Sequence, residues 1–325
     1  MKPTFHHKLL NGPFGDPCLP VRIIREQRCL LFDLGDIRSL SASALNRVTD
    51  VFVTHTHIDH FIGFDSLLRA SLRRTAPLTI YGPSGIIRNV QGRLSGYAWN
   101  LIEHYPLALT VVEYNGRSLT RALFSAEDRF RKKAVATIAS DGRLLEDPSL
   151  TVTAAVLDHG IPCLAYALQE KLQVNIDKDR LLKKNLSVGP WLTLFKKQVR
   201  EGRTRGSILI DGKRYRTQSL LDIVRTAKGQ KICYATDLGI SKKNSERLRA
   251  LADHADVFYC EAYFMEKDRG LSLERGHLTA RECGRIARMA QVKKLVLMHV
   301  SPRYYQTAEE VLREAREAFD SEVSY

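Results

Sequence analysis

The segment His55-Thr56-His57-Ile58-Asp59-His60 follows directly on Asp50-Val51-Phe52-Val53-Thr54. A short apolar run that ends in polar residues reads as an interior strand whose C-terminal end carries chemistry. His55 and His57 alternate along extended chain, so their rings point to one face. Asp59 and His60 come one turn later and face a second point. Two ligand sets this close together favour two adjacent metal ions over one. Imidazole and carboxylate without thiolate suit zinc, with manganese as the alternative, better than a structural cysteine site. The remaining ligands must come from elsewhere in the chain.

The rest of the chain supplies strand ends. Cys29–Asp33, Leu78–Tyr81, Leu109–Val112, Leu150–Val156, Lys231–Ala235, Asp256–Tyr259 and Lys294–Met298 read as strands. Helical spacing is expected over Phe61–Arg73, from Ser84 into the nineties, and over Ser219–Ala227, Lys243–Ala252, Thr279–Ala290 and Ala308–Phe319. The alternation predicts a layered α/β fold without the glycine-rich turn of a dinucleotide or P-loop fold. His159, Asp237 and His299 each follow one of these strands. We assign His55, His57 and His159 to a first metal and Asp59, His60 and His299 to a second, with Asp237 bridging them. Two ions a few ångströms apart can share a hydroxide and clamp the attacking and leaving oxygens of a hydrolysis. Asp33 also ends a strand; it would orient the histidine loop through hydrogen bonds or cap the next segment.

Composition adds two points. The six cysteines, at 18, 29, 163, 233, 260 and 283, form no CxxC pair, which predicts reduced buried thiols and a cytoplasmic protein. No apolar run is long enough to cross a bilayer, and the stretch from Met1 to Lys8 lacks the apolar core of a secretory signal. The net charge is +14, which attracts polyanions without specifying one. Much of it is concentrated over residues 171–213, which hold Lys196, Lys197, Arg200 and the Gly189-Pro190-Trp191 turn. Lying between two core strands, this segment reads as an inserted arm within a single domain of residues 1–325. A solvated pair of surface helices is the plain alternative.

These residues resemble the metallo-β-lactamase fold superfamily, and within it the ribonuclease Z family, endonucleases that trim tRNA 3′ ends. Besides His55–His60, the resemblance rests on Leu157-Asp158-His159-Gly160-Ile161-Pro162, Glu261-Ala262-Tyr263-Phe264, Gly276-His277-Leu278-Thr279-Ala280 and Met298-His299-Val300-Ser301-Pro302-Arg303-Tyr304. It implies a four-layer αββα sandwich, two divalent ions, a precursor tRNA substrate and a homodimer. It also implies that the basic arm grips tRNA, that Asp59 positions or deprotonates water, and that His277 with Glu261 protonates the leaving oxygen. Arg303 would meet phosphate. The bland alternatives are a helix-start residue for His277, a strand-end carboxylate for Glu261 and a surface ion pair for Arg303. The chain departs from the family pattern at Leu34–Ser39 and at Thr236-Asp237-Leu238. The competing function is a phosphodiesterase or esterase of the same fold with a small-molecule substrate; a third is an RNA-binding protein without catalysis.

Overall fold

The computed structural model describes residues 4–24, 26–133 and 136–325; Met1, Lys2 and Pro3 of the N-terminal stretch lie outside them. The described chain divides into two compact units. The first comprises residues up to Glu146, Val152–Leu168 and Lys231–Tyr325; the second comprises Asp147–Thr151 and Gln169–Gln230.

The first unit is built on an eight-stranded and a seven-stranded sheet. In the eight-stranded sheet, strands Arg28–Phe32, Val48–Phe52 and Leu78–Pro83 run parallel, with Phe32 beside Phe52 and Phe52 beside Tyr81. Alternation along these strands sorts their side chains. Leu31, Val51, Val53 and Ile80 pack with Phe64, Leu67, Ile86 and Val90 of the helices on one face. Phe32 and Phe52 face the other way and meet Tyr166 and Tyr234 of the second sheet, with ring centroids 5.5 to 5.8 Å apart. On that sheet's far side, Phe258, Cys260, Leu295 and Leu297 pack with Ile286, Val311, Leu312 and Phe319 of helices Ala280–Met289 and Ala308–Phe319. The order helix, sheet, sheet, helix is the expected αββα sandwich.

Register decides where the chemistry lies. In the seven-stranded sheet, Lys231–Ala235, Val257–Glu261 and Lys294–Met298 are parallel, pairing Ala235 with Cys260 and Glu261 with Met298. Asp237, Glu261 and His299 therefore emerge together at the carboxyl ends of neighbouring strands, where open α/β sheets present their sites.

The second unit has its own small core of Leu181, Leu186, Trp191, Phe195, Ile208, Ile210, Leu220 and Ile223. Two antiparallel strand pairs belong to this unit, Gln173–Ile176 with Val224–Ala227 and Ser207–Ile210 with Lys213–Arg216. The helix expected over Ser219–Ala227 is absent. A 3-10 turn over Thr217–Ile223 leads instead into the strand Val224–Ala227. The apolar residues 220, 221, 223 and 224 suit a helix, but antiparallel pairing of Val224 with Ile176 overrides that preference. All six cysteines are free and buried, as expected. No helix among the described residues is long and apolar enough to cross a membrane.

The loop carrying His60 is clamped to the loop after Phe32. Leu34 N donates to His60 O at 2.9 Å and Gly63 N donates to Leu34 O at 2.8 Å. A Cβ at Gly63 would lie 2.4 Å from Gly35 O, so backbone would have to move. Gly63→Ala is expected to destabilise the fold by about 1–3 kcal/mol, read as a lower urea midpoint. An unchanged midpoint would show that the clamp yields freely.

Candidate metal centre

Two ligand candidates and Asp33 leave their strands by a sharp turn. Asp33, Asp237 and His299 directly follow or closely trail their strands and have φ of 60°, 56° and 49°. This left-handed conformation is uncommon for residues other than glycine and marks backbone held by its surroundings. At His57, extended backbone caps the short helix Ile58–Phe61, which turns Asp59 and His60 into the site.

The structure brings all seven ligand candidates together. His55, His57, His159 and Asp237 present ligand atoms within 4.8 Å of one another, as do Asp59, His60 and His299. Asp237 stands between the two sets. Its Oδ2 lies 3.1 Å from His55 Nε2, 3.0 Å from His60 Nε2 and 3.9 Å from His159 Nε2. Asp59 Oδ2 lies 3.3 Å from Nε2 of both His60 and His299. A further set, Asp237, Glu261, His277 and His299, adjoins these.

The buried ring nitrogens test whether divalent ions fit. Nε2 of His55 and His60 and Nδ1 of His299 make no hydrogen bond, although each lies 2.8 to 3.1 Å from an Asp237 oxygen. These nitrogens converge on carboxylate oxygens rather than on donors, which is the arrangement of a ligand cage. Burial lowers the pKa of His55 and His57, keeping both neutral, the form that binds a metal. At Asp237, burial pushes the carboxyl up, but His299 and His60 outweigh it and hold the group well below the ordinary range. The residues present fit divalent ions.

The rings are aimed by their outer nitrogens. Asp33 is fully buried and its Oδ2 lies 3.0 Å from His60 Nδ1. Asp33 also accepts from Thr54 N at 2.7 Å, from Thr54 Oγ1 at 3.0 Å and from Tyr234 OH at 3.0 Å. His159 Nδ1 meets Gly276 O at 2.8 Å. His277 Nδ1 meets Glu261 Oε2 at 2.8 Å, while Glu261 Oε1 accepts from Leu238 N and Leu278 N. Burial works to lower the His277 pKa, yet the Glu261 carboxylate raises it above its ordinary value.

Arg303 stands 3.7 Å from Asp268 and over the Phe264 ring. In the second unit, helix Trp191–Arg200 buries Trp191 and Phe195 and exposes Lys197 and Arg200, with Lys196 half-buried.

Sequence reasoning missed several supporting residues. Thr54 Oγ1 lies 3.1 Å from His55 Nδ1 and 3.3 Å from His60 Nδ1, besides its bonds to Asp33. Tyr263 stacks on His277 at 4.1 Å. Asn244 accepts from Asp158 N and donates to Asp158 O and Gly239 O, fixing the turn before His159. Thr54 sits beside the motif and Tyr263 inside one, which were usable signals; Asn244 lies 86 positions from Asp158 and gave none.

The chain is similar to the ribonuclease Z of Deinococcus radiodurans, with 30% identity over 305 residues that make up 90% of this chain and 88% of that protein. The chain belongs to the ribonuclease Z family. A Beta-lactamase superfamily domain model matches residues 182–300, which include Asp237, Glu261, His277 and His299. Two solved structures share the fold. Human tRNase Z, short form, has a TM-score of 0.54 at 21% identity, covering 99% of this chain and 95% of that one. The metallo-β-lactamase fold protein YhfI of Bacillus subtilis has a TM-score of 0.56 at 16% identity, covering 97% and 94%. Ribonuclease Z membership, with the ligand groups above, makes the chain a metal-dependent hydrolase.

Thr54→Val removes the hydroxyl that joins Asp33 to two ligand rings. Its affinity for zinc should fall by about 10–100-fold, the usual cost of losing such support, measured by competition with a chromophoric chelator. Wild-type affinity in the variant would show that Asp33 orients His60 unaided.

Proposed function

We propose that this protein is an endoribonuclease that hydrolyses one phosphodiester bond of precursor tRNA and so removes the 3′ trailer. The observation that carries this reading is the Asp237 carboxylate standing between two ligand sets in a chain of the ribonuclease Z family. His55, His57 and His159 would hold one divalent ion and Asp59, His60 and His299 another, with Asp237 shared. Zinc suits this donor set, and manganese is the alternative. When bound, such ions supply Lewis acidity toward the phosphate and lower the pKa of water.

The chain's own residues do the rest. Asp59 Oδ2, held at 3.3 Å from two rings, would orient the attacking water and accept its proton. Glu261 accepts from Nδ1 of His277 and favours the charged imidazole, so Nε2 carries a proton for the departing 3′ oxygen. Tyr263 fixes the plane of that ring by stacking. Asp33 keeps His60 in one orientation. Arg303 would meet substrate phosphate after exchanging its distant partner Asp268.

The basic segment would act as a tRNA-binding arm. Lys197 and Arg200 stand exposed on a helix whose other face is locked into the second unit's core, and Lys196 would join them. Duplex RNA is gripped chiefly through phosphate and shape. We further propose a homodimer, on the ribonuclease Z resemblance of the arm, and a cytoplasmic location, which suits six free buried thiols.

Zinc-loaded protein should cut a precursor tRNA just past the discriminator base and leave a 3′-hydroxyl, mapped by primer extension and end-group analysis. Brisk hydrolysis of bis(p-nitrophenyl) phosphate with no cut in the RNA would transfer the proposal to a small-molecule phosphodiesterase. Reversing charge at Lys197 and Arg200 together should flatten the dependence of log affinity on log salt by roughly 1–2 in slope, measured by filter binding. An unaltered slope would remove both residues from the RNA interface.

A further inference from the structure

A groove of about 500 Å³ opens beside the ligand loop, lined by Thr56, Ile58, Phe61, Ile62, Arg88, Asn89, Gly92 and Arg93. Its position, charge and apolar floor are unused by the mechanism above. Thr56 and Ile58 flank His57 in the chain, so the groove lies beside one member of the His55, His57, His159 and Asp237 set. Asn89 Nδ2 donates to Thr56 Oγ1 at 2.6 Å and ties the groove's far wall to that loop.

The far wall is helix Ile86–Ser95. Ile86, Val90 and Leu94 are buried, which turns Arg88, Asn89 and Gly92 outward. Arg88 is exposed and has no carboxylate partner among the described residues. Arg93 pairs with Asp65 at 3.4 Å. On the near wall, Ile58 is 74% and Ile62 45% exposed. Spaced four apart, they share one face of the helical turn. Large exposed aliphatics beside an unpaired guanidinium match single-stranded RNA, whose bases offer flat apolar faces and whose backbone offers phosphate.

The direction of the chain follows from the proton donor. This step rests on the reading proposed above, in which His277 protonates the 3′ oxygen and so faces the tRNA side of the scissile phosphorus. The His277 ring is 4.9 Å from that of His159, and the His159 ring is 5.4 Å from that of His57. The groove is lined by both chain neighbours of His57 and by no neighbour of His277, which puts it on the His57 side of the site. RNA that leaves the phosphorus on its 5′-oxygen side, the trailer, would run onto it. We propose that this groove is the subsite for the first nucleotides of the 3′ trailer, with Arg88 on phosphate and Ile58 and Ile62 under the bases.

A Cβ at Gly92 meets no atom within 4 Å, so a large side chain there fills the groove without disturbing the helix. Gly92→Trp is expected to raise KM about tenfold for a precursor with a long single-stranded trailer. It should leave a precursor with a single-nucleotide trailer, and bis(p-nitrophenyl) phosphate, unchanged. Equal loss on all three substrates, or on none, overturns the subsite. Binding is read separately, by fluorescence anisotropy of a 5′-phosphorylated hexauridylate. Arg88→Glu should weaken it about tenfold; undetectable wild-type binding or unchanged affinity overturns the proposal. If wild-type protein cuts no precursor tRNA, the tRNA reading fails and the anisotropy alone decides the groove.

Discussion

Asp237 is 2% exposed, and all its ion-pair partners among the described residues are histidines. A carboxylate taken out of water costs several kcal/mol unless charges or donors surround it. Arginine or lysine would satisfy it permanently. Imidazoles satisfy it conditionally, because each can be neutral and offer a lone pair, or be charged and offer a proton. The same ring set can therefore compensate the carboxylate or join it around a cation. That choice of partner makes the carboxylate a shared ligand candidate rather than a structural ion pair. It also demands that every ring around it be aimed correctly.

The aiming is distributed over both sheets. Asp33 and Thr54 leave the eight-stranded sheet, and Tyr234 reaches Asp33 from the seven-stranded one. Leu164 N donates to Thr54 O at 2.9 Å, a further link between the sheets. The aromatic layer of Phe32, Phe52, Tyr166 and Tyr234 sets the spacing across which these bonds form. A core substitution in that layer would be felt at the ligands, because protein interiors transmit strain rather than absorb it. The positive φ values at Asp33, Asp237 and His299 fit this picture. Local backbone preference does not hold those residues there; the hydrogen bonds and ion contacts of their side chains do.

Strands were legible in the sequence where they are short, apolar and buried. Lys231–Ala235 and Lys294–Met298 match their expected bounds, and Ala308–Phe319 matches as a helix. The ligand candidates could be named because each follows such a strand, a pattern carried by local sequence. Legibility failed where long-range pairing decided the outcome. Val224–Ala227 became a strand because Gln173–Ile176 lies beside it, which its own residues do not reveal. Asn244 was invisible for the same reason, since a helical reading of its own segment says nothing of a loop far away in sequence. Arg303 was named by position in a motif, whereas its side chain in this structure follows the nearest acid and aromatic ring.

The two units differ in how freely their residues can change. The helix bearing Lys197 and Arg200 rests on Trp191 and Phe195, within a core that contains no ligand candidate. Surface charge there can vary at little cost to that core. Leu34–Ser39, where the chain leaves the family pattern, has no such freedom. Leu34 N is bonded to His60 O, and Gly35 N to Pro17 O. Asp36 accepts from Arg38 at its side chain and backbone. The departure is thus internally paired and anchored to the ligand loop, so the backbone that aims His60 is kept although the side chains of this segment differ from the family's.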